Sequence, residues 1–369
     1  MIMAGGTGGH VFPALAVADW LRTRGVEVVW MGTRNGMEAR IVPEAGIPME
    51  WVQVGGLRGK GASGWLVAPL RLTRALYQAV AILMRRRPQA VLGMGGFVAG
   101  PGGVASWLMR TPLLIHEQNA IPGLTNRLLV RLAKRVMEAF PGSFEQTARA
   151  IQTGNPVRRE IVALPDPVQR ALSPTQSLKL LVVGGSLGAI AINDAVPAAV
   201  AQIDPGRRPA IWHQAGYRNV EATRTAYGEA GVEARVEAFI DDMAAAYRWA
   251  DVVLCRSGAL TISELAAAGI PALLVPYPHA VDDHQTANAR WLVEAGGARL
   301  IPQPLLNASN LAEQITQLDE DRTGLDAMAS AARQVAMVDA TERVATACLE
   351  IAGITLDPNA DAPRQEDGQ

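Results

Sequence analysis

Short apolar runs of strand length recur along the chain: EVVWMG, AVLGMG and PLLIHEQ in its first half, then KLLVVGG, PAIWHQAG, DVVLCRSG and PALLVPYP. Alanine- and leucine-rich stretches long enough for crossover helices separate most of them, which predicts parallel sheets of the α/β class. The pattern then restarts. IMAGGTGGHVFPALAV near the beginning and LLVVGGSLGAIAINDAV from Leu180 share one layout, an apolar strand, a G-G-[S/T]-x-G turn and a helix-compatible run. Two consecutive doubly wound domains are expected, joined at TGNPVRREIVALPDP, where Gly154, Pro156, Pro165 and Pro167 interrupt the helical signal. The expected division is 1–157 and 158–339, with a helix around 340–353 joining the first domain, a disordered polar tail over 354–369 and a cleft between the domains as the default site.

Composition narrows the class. A chain of 369 residues, 49% hydrophobic and 19% charged with a formal charge of -1, reads as a soluble protein. It lacks the basic excess of a whole-molecule nucleic-acid binder. Cys255 and Cys348 lie far apart without metal-type spacing, no disulfide framework is implied, and no leader precedes the first motif, so a reducing cytoplasm is the expectation. The stretch from Pro88 to Met109 carries no charge, yet six glycines and Pro101 would break a spanning helix. Strand, glycine loop and helix are expected there.

A strand ending in glycines at a helix N-terminus exposes backbone N–H groups beside the positive end of the helix dipole, an arrangement suited to phosphate. Residues 5–10, 93–103 and 184–188 have that form, although glycine serves tight turns and close packing equally well. Two common identities fail. The one Gly-Lys pair, Gly59-Lys60, is followed by Gly61 rather than Ser or Thr, and AGGTGGH has neither the dinucleotide spacing nor an acidic residue ending the next strand, which closes on Thr33-Arg34.

The second half holds a more specific constellation, CRSGALTISELAAAGIPALLVPYPHAVDDHQTANA. Glu264 is expected in the first turn of a helix, where its carboxylate suits ribose hydroxyls and the N–H groups of Ala259, Leu260 and Thr261 suit phosphate or sugar. Thr261-x-x-Glu264 also fits a capping box that would serve only the helix itself. His279, Asp282, Asp283, His284 and Gln285 crowd one strand's C-terminal edge, where hydroxyl recognition is preferred to a metal site. Asp319-Glu320-Asp321 follows a helical run and is expected as a solvated helix end.

These residues resemble the MurG family, the UDP-N-acetylglucosamine transferases of bacterial peptidoglycan synthesis within the GT-B glycosyltransferases. The matching strings are MAGGTGGHVFPALAVA, GLRGKG, GMGGFVAGPGG, HEQNAIPGLTNR, GNPVR, VVGGSLGA, FIDDMAAAY, the constellation above and DATERVA, spanning the chain to about residue 352. The resemblance implies a GT-B fold, two Rossmann-like doubly wound parallel-sheet domains facing a cleft. It also implies metal-independent, inverting transfer of N-acetylglucosamine from UDP-GlcNAc to the C4 hydroxyl of the muramyl sugar in lipid I, giving lipid II, with no cofactor.

Implied donor contacts are Thr7, Gly8, Gly9, Asn119, Arg158, Ser186, Ile240, Ala259, Leu260, Thr261, Ile262, Ser263, Glu264 and Gln285. Glu264 is assigned to the ribose, Ser186 and neighbouring amides to the diphosphate, the Ile240 backbone to the uracil edge, and Asn119 with Gln285 to sugar hydroxyls. Set against the family, the first strand is short and Leu187 stands where some members carry Gln. Other readings kept beside this one are a GT-B enzyme with a different acceptor, a UDP-GlcNAc 2-epimerase, and a nucleotide-sugar-binding protein without catalysis.

An inverting transfer needs a base for the acceptor proton and stabilisation of departing UDP, which helix N-termini can supply. His10 is the candidate base, weighed against a role in bracing its own loop; Glu117 is the second, weighed against the same role. A lipid acceptor implies an anionic membrane surface as partner, beside cell-wall and division assembly proteins, at the cytoplasmic face of the inner membrane. GWLVAPLRLTRALYQAVAILMRRRP is the expected peripheral patch: Leu72, Leu76, Val80 and Leu83 form a stripe, with Trp65, Leu66, Arg71, Arg74, Arg85, Arg86 and Arg87 around it. The competing reading is an ordinary crossover helix with its stripe in the core.

Overall fold

The structure, a computed structural model, describes residues 1–55, 61–170, 177–185 and 188–356. It divides into two compact units, Met1–Pro156 with the chain from Asp339 onward, and Val157–Val338. The seven strands of the N-terminal unit are β1 Ile2–Met3, β2 Trp30–Gly32, β3 Met49–Trp51, β4 Val91–Gly93, β5 Leu113–Glu117, β6 Arg135–Glu138 and β7 Ile151–Gln152. All pair in parallel, in the order β3-β2-β1-β4-β5-β6-β7. Around them lie α1 Gly8–Arg22, α2 Glu38–Glu44, α3 Gly61–Arg86, α4 Ala99–Leu108 and α5 Leu124–Leu129.

The C-terminal unit repeats the plan with β8 Lys179–Val183, β9 Ala210–Gln214, β10 Arg235–Glu237, β11 Val252–Cys255, β12 Ala272–Leu274 and β13 Ala298–Leu300. These strands are also parallel, in the order β10-β9-β8-β11-β12-β13. Its helices are α6 Arg159–Val162, α7 Ile190–Ala201, α8 Val220–Glu229, α9 Met243–Trp249, α10 Ala259–Ala268, α11 His284–Glu294, α12 Ala308–Glu320 and α13 Arg322–Gln334. The last helix, α14 Ala340–Ala352, returns to the N-terminal unit and packs on α1, placing Val344, Ala345 and Leu349 in the cluster with Val11, Val17 and Leu21.

Helices on both sheet faces explain why the strand runs are apolar without alternation. On one face of the N-terminal sheet Ile2, Trp30, Leu92 and Leu114 meet α1 and α14; on the other Met3, Met31, Val91 and Ile115 meet α3 and α4. In each unit the chain winds outward from the first strand, then returns to its other side. That puts a switch point between β1 and β4, and another between β8 and β11, where parallel α/β sheets bind ligands beyond the strand ends.

The charge-free stretch divides into β4, a glycine loop and α4, and no helix among the described residues is long and apolar enough to cross a membrane. Asp319 and Glu320 close α12, while Asp321 caps α13 by accepting from the Gly324 N–H at 2.8 Å, so the acidic triplet is a helix junction.

Candidate functional site

At the first switch point, Thr7 is extended and its side chain makes no capping bond, so α1 opens with the amides of Gly8 and Gly9 and carries His10 as its third residue. The His10 N–H already donates to the Thr7 carbonyl at 3.1 Å, whereas the Gly8 and Gly9 amides have no intrahelical acceptor and stay available to an anion. Gly6, at φ +94°, donates its N–H to Glu38 Oε2 at 2.9 Å. Glu38 is fully buried and also accepts from the Thr33 N–H at 3.0 Å and the Thr33 hydroxyl at 2.7 Å, tying the loop to the end of β2.

In the neighbouring glycine loop the glycines serve close packing, one of the two roles expected of it. A Cβ on Gly96 would lie 2.2 Å from the Gly5 carbonyl oxygen, and one on Gly95 would lie 2.7 Å from His10 Nδ1. Both have positive φ, so only glycine fits against the first loop and the imidazole. His10 is half-buried, with Nδ1 2.8 Å from Gln118 Oε1.

Glu117 is a brace, which corrects its assignment as the second candidate base. Its Oε1 accepts from the Asn119 N–H at 3.0 Å and Asn119 Nδ2 at 3.1 Å, and its Oε2 from the Gly123 N–H at 3.1 Å and Asn126 Nδ2 at 2.9 Å. With the carboxylate 2% exposed and four donors on two oxygens, no lone pair is left for a substrate proton. Asn119 is thereby fixed beyond the end of β5.

At the second switch point, α10 begins at Ala259 with Gly258 as its extended N-cap. Thr261 is therefore inside the first turn and forms no capping box, and Glu264 falls in the second turn, not the first. Leu260, Thr261 and Ser263 are partly accessible, whereas Ile262 is a core residue with its N–H bonded to the Gly258 carbonyl, so its side chain is unavailable to a donor. Ser263 donates its hydroxyl to the Ala259 carbonyl.

Glu264, 5% exposed, accepts from Arg158 Nη2 at 2.9 Å on one oxygen and from the Tyr247 hydroxyl at 3.0 Å on the other. Burial pushes its carboxyl above the ordinary value, against the pull of Arg158 and Tyr247. Burial disfavours the Arg158 charge too, but Glu264 outweighs it and holds the guanidinium above its ordinary value. Burial drives the Tyr247 phenol up strongly, so it stays a donor. Each Glu264 oxygen retains a second acceptor position, the capacity a ribose diol uses.

Gln285, in the first turn of α11, accepts from the Tyr277 N–H at 2.9 Å through Oε1, leaving its amide nitrogen as donor. Ahead of α11, Asp282 and Asp283 both adopt left-handed backbone conformations, strain of the kind that collects at functional loops. The Ile240 N–H donates to the buried Gln214 Oε1 at 3.1 Å, so a uracil edge meets only the carbonyl there. Ser186, assigned to the diphosphate, lies outside the described residues. Among the described residues no group of three or more His, Cys, Asp or Glu side chains is placed to hold a metal ion.

Residues 1–138 match the model of the glycosyltransferase family 28 N-terminal domain and residues 179–344 that of its C-terminal domain. A Nitrosococcus oceani protein named UDP-N-acetylglucosamine–N-acetylmuramyl-(pentapeptide) pyrophosphoryl-undecaprenol N-acetylglucosamine transferase is 58% identical over 352 residues, 95% of this chain and 98% of its own. The chain belongs to glycosyltransferase family 28. A family member of the same name from Alkalilimnicola ehrlichii is 56% identical over 95% of this chain and 98% of its own. The crystal structure of Acinetobacter baumannii MurG superposes with a TM-score of 0.82 at 41% identity, covering 95% of this chain and 99% of that one. The chain thus has the GT-B fold of this family, two Rossmann-like parallel-sheet domains.

The long helix α3 of this family 28 chain departs in part from the expected stripe. Leu83 is buried, and Leu76 and Val80 pack against the core of the N-terminal unit, because the sheet face behind them needs cover. Arg85 and Arg86 both pair with the nearly buried Glu50, Arg86 Nε at 2.7 Å, so they brace the helix end. Leu72 of the stripe is exposed, as are Val67, Leu70, Arg71 and Arg74 beside it. Trp65 and Leu66 have no described side chains.

Sequence reasoning passed over His116, Gln118, Gln214 and Tyr247. Each is a buried polar residue in or beside an element otherwise apolar, which is the signal that would have marked it.

Proposed function

We propose that the chain is an inverting, metal-independent transferase that moves N-acetylglucosamine from UDP-GlcNAc to the C4 hydroxyl of the muramyl sugar in undecaprenyl-pyrophosphoryl-MurNAc-pentapeptide, lipid I. The product is lipid II, the disaccharide intermediate of peptidoglycan biosynthesis. The observation that carries the reading is 58% identity, across nearly the full length of both chains, to a transferase named for this reaction.

The C-terminal unit holds the donor. Glu264 takes the ribose hydroxyls, Arg158 stays charged beside it, and the Ile240 carbonyl accepts the uracil N3–H. The amides of Ala259, Leu260 and Thr261 at the start of α10 meet the diphosphate, and Gln285 Nε2 donates to a sugar hydroxyl. As the bond from C1 to the phosphate oxygen breaks, its electron pair leaves with UDP, and fixed amide dipoles stabilise that charge.

The N-terminal unit holds the acceptor. His10 Nε2 removes the C4 hydroxyl proton as the oxygen attacks C1 from the face opposite UDP, which inverts the anomeric carbon. Thr7, Gly8 and Gly9 lie beside it for a diphosphate, and Asn119 serves a sugar hydroxyl. The exposed Leu70 and Leu72 with Arg71 and Arg74 rest on an anionic membrane, placing the enzyme peripherally at the cytoplasmic face of the inner membrane beside cell-wall and division proteins.

The test is incubation of purified protein with labelled UDP-GlcNAc and a lipid I analogue in excess chelator. The expected outcome is label in a disaccharide product; absence of transfer by folded protein that binds donor overturns the reading. Vesicle binding is expected to rise with anionic lipid and to fall several-fold in Leu70→Ser/Leu72→Ser.

A further inference from the structure

Two backbone carbonyls fix every proton in a chain of side chains that ends on His10. The Gly154 carbonyl oxygen lies 2.9 Å from His116 Nε2 and can only accept, so His116 carries its proton on Nε2. His116 is completely buried, and burial lowers its pKa to about 4, so the ring is neutral and Nδ1 presents a lone pair. Gln118 Nε2 lies 3.1 Å from that Nδ1 and 3.1 Å from the His116 carbonyl oxygen. Both are acceptors, so the NH2 end of the amide faces them and Oε1 faces the other way. There Oε1 meets His10 Nδ1 at 2.8 Å, and an acceptor in that place requires the His10 proton on Nδ1.

We propose that His116 and Gln118 are positioning residues that hold neutral His10 in the Nδ1–H tautomer, leaving the Nε2 lone pair for the acceptor hydroxyl. The proposal deepens the assignment of His10 as base and rests on it. Neutral histidine in water favours the opposite tautomer, with the proton on Nε2, where it would block proton abstraction. The relay reverses that preference. Nε2 makes no hydrogen bond among the described residues, and Gly95, where a Cβ would strike the ring, leaves room for the imidazole in this pose.

The geometry comes from strand alternation. His116 and Glu117 are the last two residues of β5 and Gln118 follows, so successive side chains turn to opposite sides. His116 and Gln118 reach toward His10 while Glu117 braces the loop behind. A carboxylate behind a catalytic histidine orients the ring and also stabilises its positive charge. Gln118 is neutral and supplies the orientation alone.

The experiment reads the tautomer directly. The chain has five histidines, so selective 15N labelling in alkaline buffer, with His10→Ala to assign the resonance, resolves the ring nitrogens of His10. In the wild type Nδ1 is expected protonated and Nε2 bare; a protonated Nε2 overturns the proposal without any variant. Gln118→Leu, close in size but unable to accept, is expected to move the proton to Nε2 and to lower kcat at least ~10-fold while the donor KM stays within about twofold, the pattern of lost base function. Gln118→Glu keeps an acceptor toward His10 but sets its second oxygen against the His116 Nδ1 lone pair and carbonyl, so it is expected to recover the tautomer and turnover only in part. A Leu variant with unchanged tautomer overturns the relay. A shifted tautomer with undiminished turnover removes His10 as base instead, so the two failures are distinguishable.

Discussion

The two units share one topology and differ in what stands at its switch point. Both wind their strands in the same order, and both present a strand, a glycine-containing turn and a helix N-terminus where the winding reverses. In the N-terminal unit the helix carries a half-buried imidazole held by neutral partners. In the C-terminal unit it carries a buried carboxylate held by a guanidinium and a phenol. Topology thus selects the place, and a few side chains near one helix's first turns give the two places different chemistry, an imidazole in one and a buried carboxylate in the other.

Acid separates the units most strongly. Each contains a neutral buried histidine, His116 with its pKa lowered to about 4 and His213 to about 3, in both cases chiefly by burial. The unfolded chain binds protons at these residues from about pH 6.5 downward while the folded chain does not, so stability falls as pH falls. The slope is about 1.4 kcal/mol per pH unit for each histidine, roughly 2 kcal/mol lost per unit of the fold by pH 5. Below pH 4 the His116 contribution is expected to level off while that of His213 continues to about pH 3. Amide hydrogen exchange followed separately in the two units checks this; a C-terminal unit indifferent to pH between 6.5 and 4 would refute a neutral His213.

Glu264→Ala sharpens the contrast next. Breaking a fully buried ion pair costs about 3–5 kcal/mol, and since the Arg158 side chain keeps 31% of its exposure, a loss of about 2–3 kcal/mol is expected here. Denaturant melts should place it in the C-terminal unit alone, with weakened donor affinity and unchanged vesicle binding. Burial holds the Glu264 carboxyl above its ordinary value, so donor affinity in the wild type is expected to fall on the acid side with a midpoint above that of an ordinary glutamate. A titration with its midpoint at or below that value counts against the buried geometry.

Gly95→Ala carries the smallest expected effect. The left-handed backbone and the Cβ contact at His10 together cost about 1–2 kcal/mol, and the displaced imidazole should lower kcat with little change in donor KM. A fall in donor affinity instead would mean that this loop serves the nucleotide.

Much of this architecture is legible in local pattern. Apolar runs such as KLLVVGG and DVVLCRSG mark strands buried on both faces, and the repeated strand-glycine-helix layout marks two domains of one plan. His10 is legible too, as the residue that ends a glycine loop. What stays hidden is partnership at long range. His10 and Gln118 are 108 residues apart, and Arg158 and Glu264 are 106 apart, so no local spacing reports either pair. The same blindness makes Glu117 look like a free base and Thr261 like a cap, because the donors around Glu117 and the backbone start of α10 appear only once the chain is folded. Helix α3 shows the effect at larger scale: its sequence permits an outward stripe, and the core claims three of its four residues.

The role of His10 is tested most directly by single-turnover transfer of labelled N-acetylglucosamine to a lipid I analogue by wild type and His10→Ala, each saturated with UDP-GlcNAc. Loss of a general base costs about 10²–10⁴-fold. A rate reduced by about that factor in His10→Ala with donor affinity unchanged is expected if His10 is the base and the other unit holds the nucleotide. Near-normal transfer by His10→Ala, or a loss that follows weakened donor binding, would contradict that role.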